Sequence, residues 1–297
     1  MDWHSHLITL YLQIESFYHH DLWILSERFS PNASPSFSEV EAMTVYLWGV
    51  GSGDTQLKRI HEFTSHSRSS WFPTLPSYGA FVNRIHRRGD ALCGLFHPLL
   101  TCIDYREATS LGRLIDSFPV ILAKRQNSYQ AKVAKDLANQ NWHPVKEMDY
   151  HGVKIHSIAW SRFHPLPRLE GVWITPASTH DLEAFRQVKD DLMDAPLLAE
   201  KAYGDRELQK EFQEQGGQLL ASEKRTRNSP PLLMTQRAKN SLIAKNRQPI
   251  EGLFQWIQQQ TSIEDASKVR SSKGLIVHLW GKLSTALMKF FPIRFLF

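Results

Sequence analysis

An α/β fold, an α+β mixed sheet flanked by helices and preceded by a helical amino-terminal third, is predicted by two observations. The apolar spacing is helical through the first third, and its period changes from residue 112, where strand-like runs begin. The later elements then read three strands, helix, strand, helix, strand, helix. Consecutive strands first and alternation afterwards are the order of a mixed sheet with helices on its faces. The predicted domains are a helical one over residues 1–110 and a sheet domain with its closing helix over residues 111–297.

The elements follow in order. Leu7, Leu10, Tyr11 and Ile14 repeat at three and four, as do Val40, Met43, Thr44 and Leu47. Ser38 with Glu41 makes a capping-box pattern that opens the second run, and Gly51-Ser52-Gly53-Asp54 ends it. A polar loop is expected over Thr64 to Ser70, then Pro-punctuated Trp71 to Pro76. A helix over about Tyr78 to Cys93 follows and carries Arg84, His86, Arg87 and Arg88. Leu114 to Ala123 reads as a buried strand. Tyr150 to Trp160 alternates as a second, with Val153, Ile155 and Ser157 on one face, and Gly171 to Thr175 is a third. A helix opens at Ser178 or Thr179 and runs through Val188. Pro196 to Ala199 reads as a strand ending at Glu200, and a helix from about Arg206 and a strand around Gln218 to Ser222 precede the helix bearing Glu251. No internal repeat or low-complexity tract interrupts the chain.

Composition narrows the classes. The chain has 297 residues, 42% of them hydrophobic, enough for one large core or two smaller ones. A net charge of +5 permits polyanion binding without requiring it. Cys93 and Cys102 lack metal-ligand spacing and read as reduced, buried thiols. The first residues carry acid and histidine, with no basic-then-apolar leader pattern. The apolar tail from Gly274 to Phe297 is interrupted by His278, Lys282, Lys289 and Arg294, so a packed helix is expected and a membrane span of about 20 apolar residues is not. Asn32-Ala33-Ser34 fits a glycosylation sequon that nothing else supports.

Three short motifs carry the chemistry. Leu114-Ile115-Asp116-Ser117-Phe118, Leu198-Ala199-Glu200-Lys201-Ala202-Tyr203 and Pro249-Ile250-Glu251-Gly252-Leu253-Phe254 each set one carboxylate inside or beside an apolar run. Desolvating a carboxylate is costly unless a cation or hydrogen bonds compensate. Three such acids are what a site needs to clamp two divalent ions about 3.5–4 Å apart for phosphoryl transfer.

Further motifs sharpen this. Ile115-Asp116-Ser117-Phe118-Pro119, Tyr150-His151-Gly152-Val153-Lys154-Ile155-His156, Thr175-Pro176-Ala177-Ser178-Thr179-His180-Asp181, Glu200-Lys201-Ala202-Tyr203 and Ile250-Glu251-x-x-Phe254 occur in that order. Together they resemble the DDE transposases of bacterial insertion sequences over roughly residues 112 to 280. The resemblance implies a ribonuclease-H-like core, with Asp116, Glu200 and Glu251 as catalytic acids that bind two Mg²⁺ or Mn²⁺ ions. It implies binding of element ends, metal-dependent cleavage and strand transfer into target DNA. Double-stranded DNA as partner, no membrane, a homodimer on DNA and a bacterial cytoplasmic, nucleoid-associated location come with it. Phosphate contacts are expected from Arg84, Arg87 and Arg88 in the helical third, and from Lys224, Arg225, Arg227, Lys245 and Arg247 between the second and third acids.

The chain departs from the pattern at two points. The family usually has Asp where Glu200 stands, and one more methylene moves the oxygens by more than about 1 Å, which in-line attack tolerates poorly. Asp205 is an alternative to it. Pro249 suits only the first turn of a helix, which would leave Arg247, the counterpart of the family's basic partner, on the preceding loop. Plainer readings stand beside these: Asp116 as a strand-end cap, Glu200 with Lys201 as a surface pair, Glu251 at a helix's positive end, and the basic stretch as a solvated face. His156 and His180 read as packed or solvated, and His180-Asp181 as a helix start. Two rival functions remain, a metal-dependent nuclease on the same fold and a DNA-binding remnant whose chemistry has decayed at Glu200.

Overall fold

The computed structural model describes residues 3–26, 35–101, 112–161, 166–223 and 231–290. Its contacts divide the chain into two compact units, Met1–Asp104 with Ile257–Phe297, and Tyr105–Trp256. Cys102, the sequon and Lys224, Arg225 and Arg227 lie outside the described residues.

The first unit is helical. It opens with α1 (Trp3–Phe17), a π-helical turn at Tyr18–Leu22 and α2 (Trp23–Ser26). α3 (Glu39–Gly51) starts at the expected capping box: the Ser38 hydroxyl accepts from the Glu41 amide at 3.1 Å, and the Ser38 amide donates to Glu41 Oε2 at 2.6 Å. α4 (Leu57–Ser67) covers the first half of the expected polar loop. There the Thr64 and Ser65 hydroxyls donate back to the Ile60 and Glu62 carbonyls, so polar residues persist in the last turn. The single helix expected after Tyr78 is two, α5 (Tyr78–His86) and α6 (Gly89–Thr101). Arg87 and Arg88 divide them, their amides turning back to Arg84 and Ile85.

The second unit holds the sheet. Its elements are β1 (Arg113–Lys124), α7 (Gln126–Tyr129), β2 (Asn139–His143), β3 (Met148–Trp160), β4 (Arg168–Pro176), α8 (Asp181–Arg186), β5 (Leu197–Ala199), α9 (Arg206–Glu214), β6 (Leu219–Ala221) and α10 (Met234–Arg247). The sheet order is β2-β3-β1-β5-β6, with β4 also on β3. β3 runs antiparallel to β1, β2 and β4, whereas β5 is parallel to β1 and β6. This mixed sheet, helices following its strands, is the arrangement of a ribonuclease-H-like core. β2 and α10 were not anticipated: β2 is a polar hairpin strand, and α10 buries only Ile243. α8 begins later than expected, at Asp181, because His180 caps it, Nδ1 accepting from the Leu182 amide at 3.3 Å.

Gly112 sets the entry to β1. Its φ of +142° lies in the region that favours glycine, and a Cβ there would stand 2.5 Å from the Pro196 carbonyl oxygen. The same carbonyl accepts from the Arg113 amide at 2.8 Å, which starts the parallel pairing of β1 with β5.

α11 (Pro249–Thr261) and α12 (Ser272–Phe290) complete the described chain. The sequence assigned the closing helix to the sheet domain, but α12 belongs to the helical unit. It packs on α3 and α6, where the Tyr46 hydroxyl donates to the Val277 carbonyl at 3.2 Å and the Ser284 hydroxyl to the Leu92 carbonyl at 3.4 Å. Its buried Leu275, Val277, Leu279, Leu283 and Leu287 need apolar partners on several sides, which a helical cluster supplies. Among the described residues no helix is long and apolar enough to cross a membrane.

Candidate active site

Strand alternation distributes the site. Asp116 and Phe118 face one side of β1, and Ile115 and Ser117 the other. Phe118 packs on Phe254, ring centroids 4.7 Å apart, and so draws the start of α11 over the Asp116 face. On the neighbouring strand Leu197 and Leu198 pair with Arg113 and Leu114, so the same register carried two residues on sets Glu200 beside Asp116. β5 ends there, and a 3₁₀ turn at Lys201–Tyr203 begins. Pro249 occupies the first position of α11 and leaves Glu251 in its first turn. Arg247 ends α10 rather than standing on a loop.

Arg247 joins the acids. Its Nη1 donates to Asp116 Oδ2 at 2.5 Å and its Nη2 to Glu251 Oε1 at 2.6 Å. The Ser117 amide donates to the other Asp116 oxygen at 2.8 Å. Burial pushes the Asp116 carboxyl up to about 6. Arg247 and the Ser117 amide oppose that rise, and the charge of Glu200 adds to it. Burial tends to lower the Arg247 pKa, but Asp116, Glu251 and Glu200 together outweigh it and raise the value. Two carboxylates therefore share one guanidinium, and the charge of Glu200 acts on the same group from nearby. Such an all-oxygen set suits hard ions such as Mg²⁺ or Mn²⁺. Among the described residues, two buried hydroxyls near it have no hydrogen-bond partner: Ser157 of β3, the register partner of Asp116, and Tyr203. Burial and then the charges of Asp181, Asp116 and Glu200 raise the Tyr203 phenol, so it remains a donor. As the side chains lie around Arg247, no group of three His, Cys, Asp or Glu among the described residues is arranged to hold a metal ion.

The other predicted residues divide by burial. Asp205 caps α9 by accepting from the Leu208 amide at 2.9 Å, which commits its carboxylate elsewhere. Arg88 is 4% exposed and grips Glu39 through Nε at 2.6 Å and Nη2 at 2.5 Å. Arg84 lies 3.9 Å from the same carboxylate. Both cations thus serve Glu39, whose desolvated carboxylate demands them. Arg87 and Lys245 are exposed. Sequence reasoning passed over Lys154 and treated Asp181 only as a helix start, yet Asp181 accepts from both the Ser117 hydroxyl, next to Asp116 in sequence, and Lys154 Nζ. The helix-start position of Asp181 hid this role, although an acid two residues beyond Ser178-Thr179 was a visible signal.

The family model described as transposase DDE domain matches residues 108–288, more than half of the chain and the whole of this site. The chain belongs to that family and is a DDE transposase of insertion-sequence type. No curated protein matches it. Transposases are DNA-cleaving enzymes, and those of the DDE class generally use divalent metal ions.

Proposed function

We propose that this transposase cleaves DNA at insertion-sequence ends and joins the freed strands to target DNA, using Asp116, Glu200 and Glu251 as its catalytic acids. The observation that carries the reading is the single guanidinium of Arg247 held between Asp116 and Glu251, with Glu200 in register beside Asp116. Two bound Mg²⁺ or Mn²⁺ ions would activate the attacking oxygen and stabilise the leaving one. The three carboxylates bind, and the Ser117 amide and Arg247 orient Asp116. Arg247 also offers a planar fork to a phosphodiester once the acids are otherwise neutralised. Placement on β1, just past the end of β5 and in the first turn of α11 would supply the alignment that in-line displacement needs. Duplex DNA is the substrate, contacted by exposed cations such as Arg87 and Lys245, and a homodimer in the bacterial cytoplasm would pair two ends.

The test is an assay of paired-end duplexes with Mg²⁺, scoring both nicking and joined product. Both products, abolished by Asp116→Asn, support the reading. Nicking without joining would assign a nuclease. Glu200 favours a second reading, a DNA-binding remnant, and binding without nicking in either Mg²⁺ or Mn²⁺ would establish it.

A further inference from the structure

A hydrogen-bonded path leads from the acids through β1 to the opposite face of the sheet. The Ser117 amide donates to Asp116, and the Ser117 hydroxyl donates to Asp181 Oδ1 at 2.9 Å. Asp181 also accepts from Lys154 Nζ at 3.2 Å, while Lys154 donates to the Thr179 carbonyl at 2.9 Å. His156, fully buried against Trp173, lies 3.9 Å from the same carboxylate oxygen. An acid at the start of a helix ordinarily serves the helix's own amides. Here His180 provides that cap, and Asp181 is turned to the sheet.

We infer that Asp181 is a positioning residue of the acid site, fixing through Ser117 the direction in which Asp116 presents its carboxylate. The inference rests on the reading of Asp116 as a metal-binding acid. Ser117 is the link because its two donors serve two carboxylates at once: the hydroxyl is anchored on Asp181, and the amide of the same residue holds Asp116. Lys154 neutralises Asp181, so the anchor orients Asp116 without adding its charge to an already crowded set of acids. Outer partners of this kind govern metal affinity because they set the orientation of the ligand itself. A carboxylate that served the fold alone would affect stability and leave metal affinity unchanged.

The experiment measures Mn²⁺ binding by the full chain, from the EPR signal of the free ion, beside hydrogen exchange at the Ser117 amide. Asp181→Ala and Ser117→Ala are each expected to weaken Mn²⁺ binding about tenfold or more. Each should speed exchange at that amide, and the double variant should lose no more affinity than either single one. Ser117→Thr keeps the hydroxyl and is expected to keep the affinity, which preserves the test if Asp181→Ala does not fold. Asp116→Asn separates the two readings. If it leaves Mn²⁺ affinity intact, the acid reading fails, and amide exchange still decides the positioning role. If it abolishes binding while both alanine variants leave affinity and exchange unchanged, or if their losses add, the inference is overturned.

Discussion

Arg247 donates to Asp116 at 2.5 Å across 131 residues of sequence, and its other arm reaches Glu251 at 2.6 Å. The planar guanidinium can serve both carboxylates where a point charge would not. Arg247→Ala is expected to cost about 1–3 kcal/mol, because it strips a buried carboxylate of its cation. Added Mg²⁺ should then raise the melting midpoint of the variant more than that of the unmodified chain, since divalent ions replace the missing charge. Equal Mg²⁺ shifts in thermal melts would contradict this account of the site.

Glu200 tests the geometry of the second acid. If only its reach is at fault, Glu200→Asp should raise Mg²⁺-dependent nicking about tenfold or more, about 1.4 kcal/mol of barrier. Mn²⁺ should partly restore the unmodified protein, and DNA affinity should scarcely change. Nicking by both variants in each metal checks this. Equal or lower activity of the Asp variant would mean that the backbone at Glu200 has adapted to the longer side chain.

Charges on the helical unit and on α10 should separate into two classes. Arg88→Ala leaves Glu39 buried without its closest partner and should destabilise by about 3–5 kcal/mol. Lys245→Ala should leave the melt unchanged and reduce the slope of log affinity against log salt by about one. DNA titrations over a salt series, beside melts of both variants, distinguish the classes. A Lys245 variant with the unmodified salt slope would remove that residue from the DNA interface.

Much of the sheet was legible because its signals are local. The alternation at Tyr150 to Trp160, the apolar run at Leu114 and the proline before Glu251 place β3, β1 and the start of α11 directly. What failed depended on partners far along the chain. Arg84 and Arg88 look like any basic helix face until Glu39, on another helix, is folded against them. α12 carries an apolar pattern that does not say which unit will cover it. β2 is polar and gains its strand character from pairing with β3, not from its own residues. Asp181 sits where an acid commonly caps a helix, and only the third dimension turns it toward Ser117 and Lys154.

A buried lysine makes the helical unit sensitive to pH. Lys282 is 1% exposed, donates to the Ser262 carbonyl at 2.9 Å, and is lowered by burial to about 7. His278, one turn earlier, is lowered by burial and then by Lys282 to about 3. In both cases the unfolded chain binds more protons between the folded and the ordinary pKa. Stability should therefore rise with pH from about 3 to 6.5 through His278, and from about 7 to 10 through Lys282. Lys282→Met should flatten the upper window and narrow the lower one, because the Lys282 charge also helps to hold His278 down. Melting midpoints across pH 4 to 10 would show it, and an unchanged upper slope would assign that window to another group.

The most direct measurement is anomalous scattering from manganese in crystals of the protein grown with Mn²⁺ and a DNA duplex. The account predicts two manganese peaks about 3.5–4 Å apart. They should be bounded by carboxylate oxygens of Asp116, Glu200 and Glu251, with Arg247 released from at least one acid. Manganese bound elsewhere, or Asp116 still held by Arg247 with no ion at its carboxylate, would contradict it.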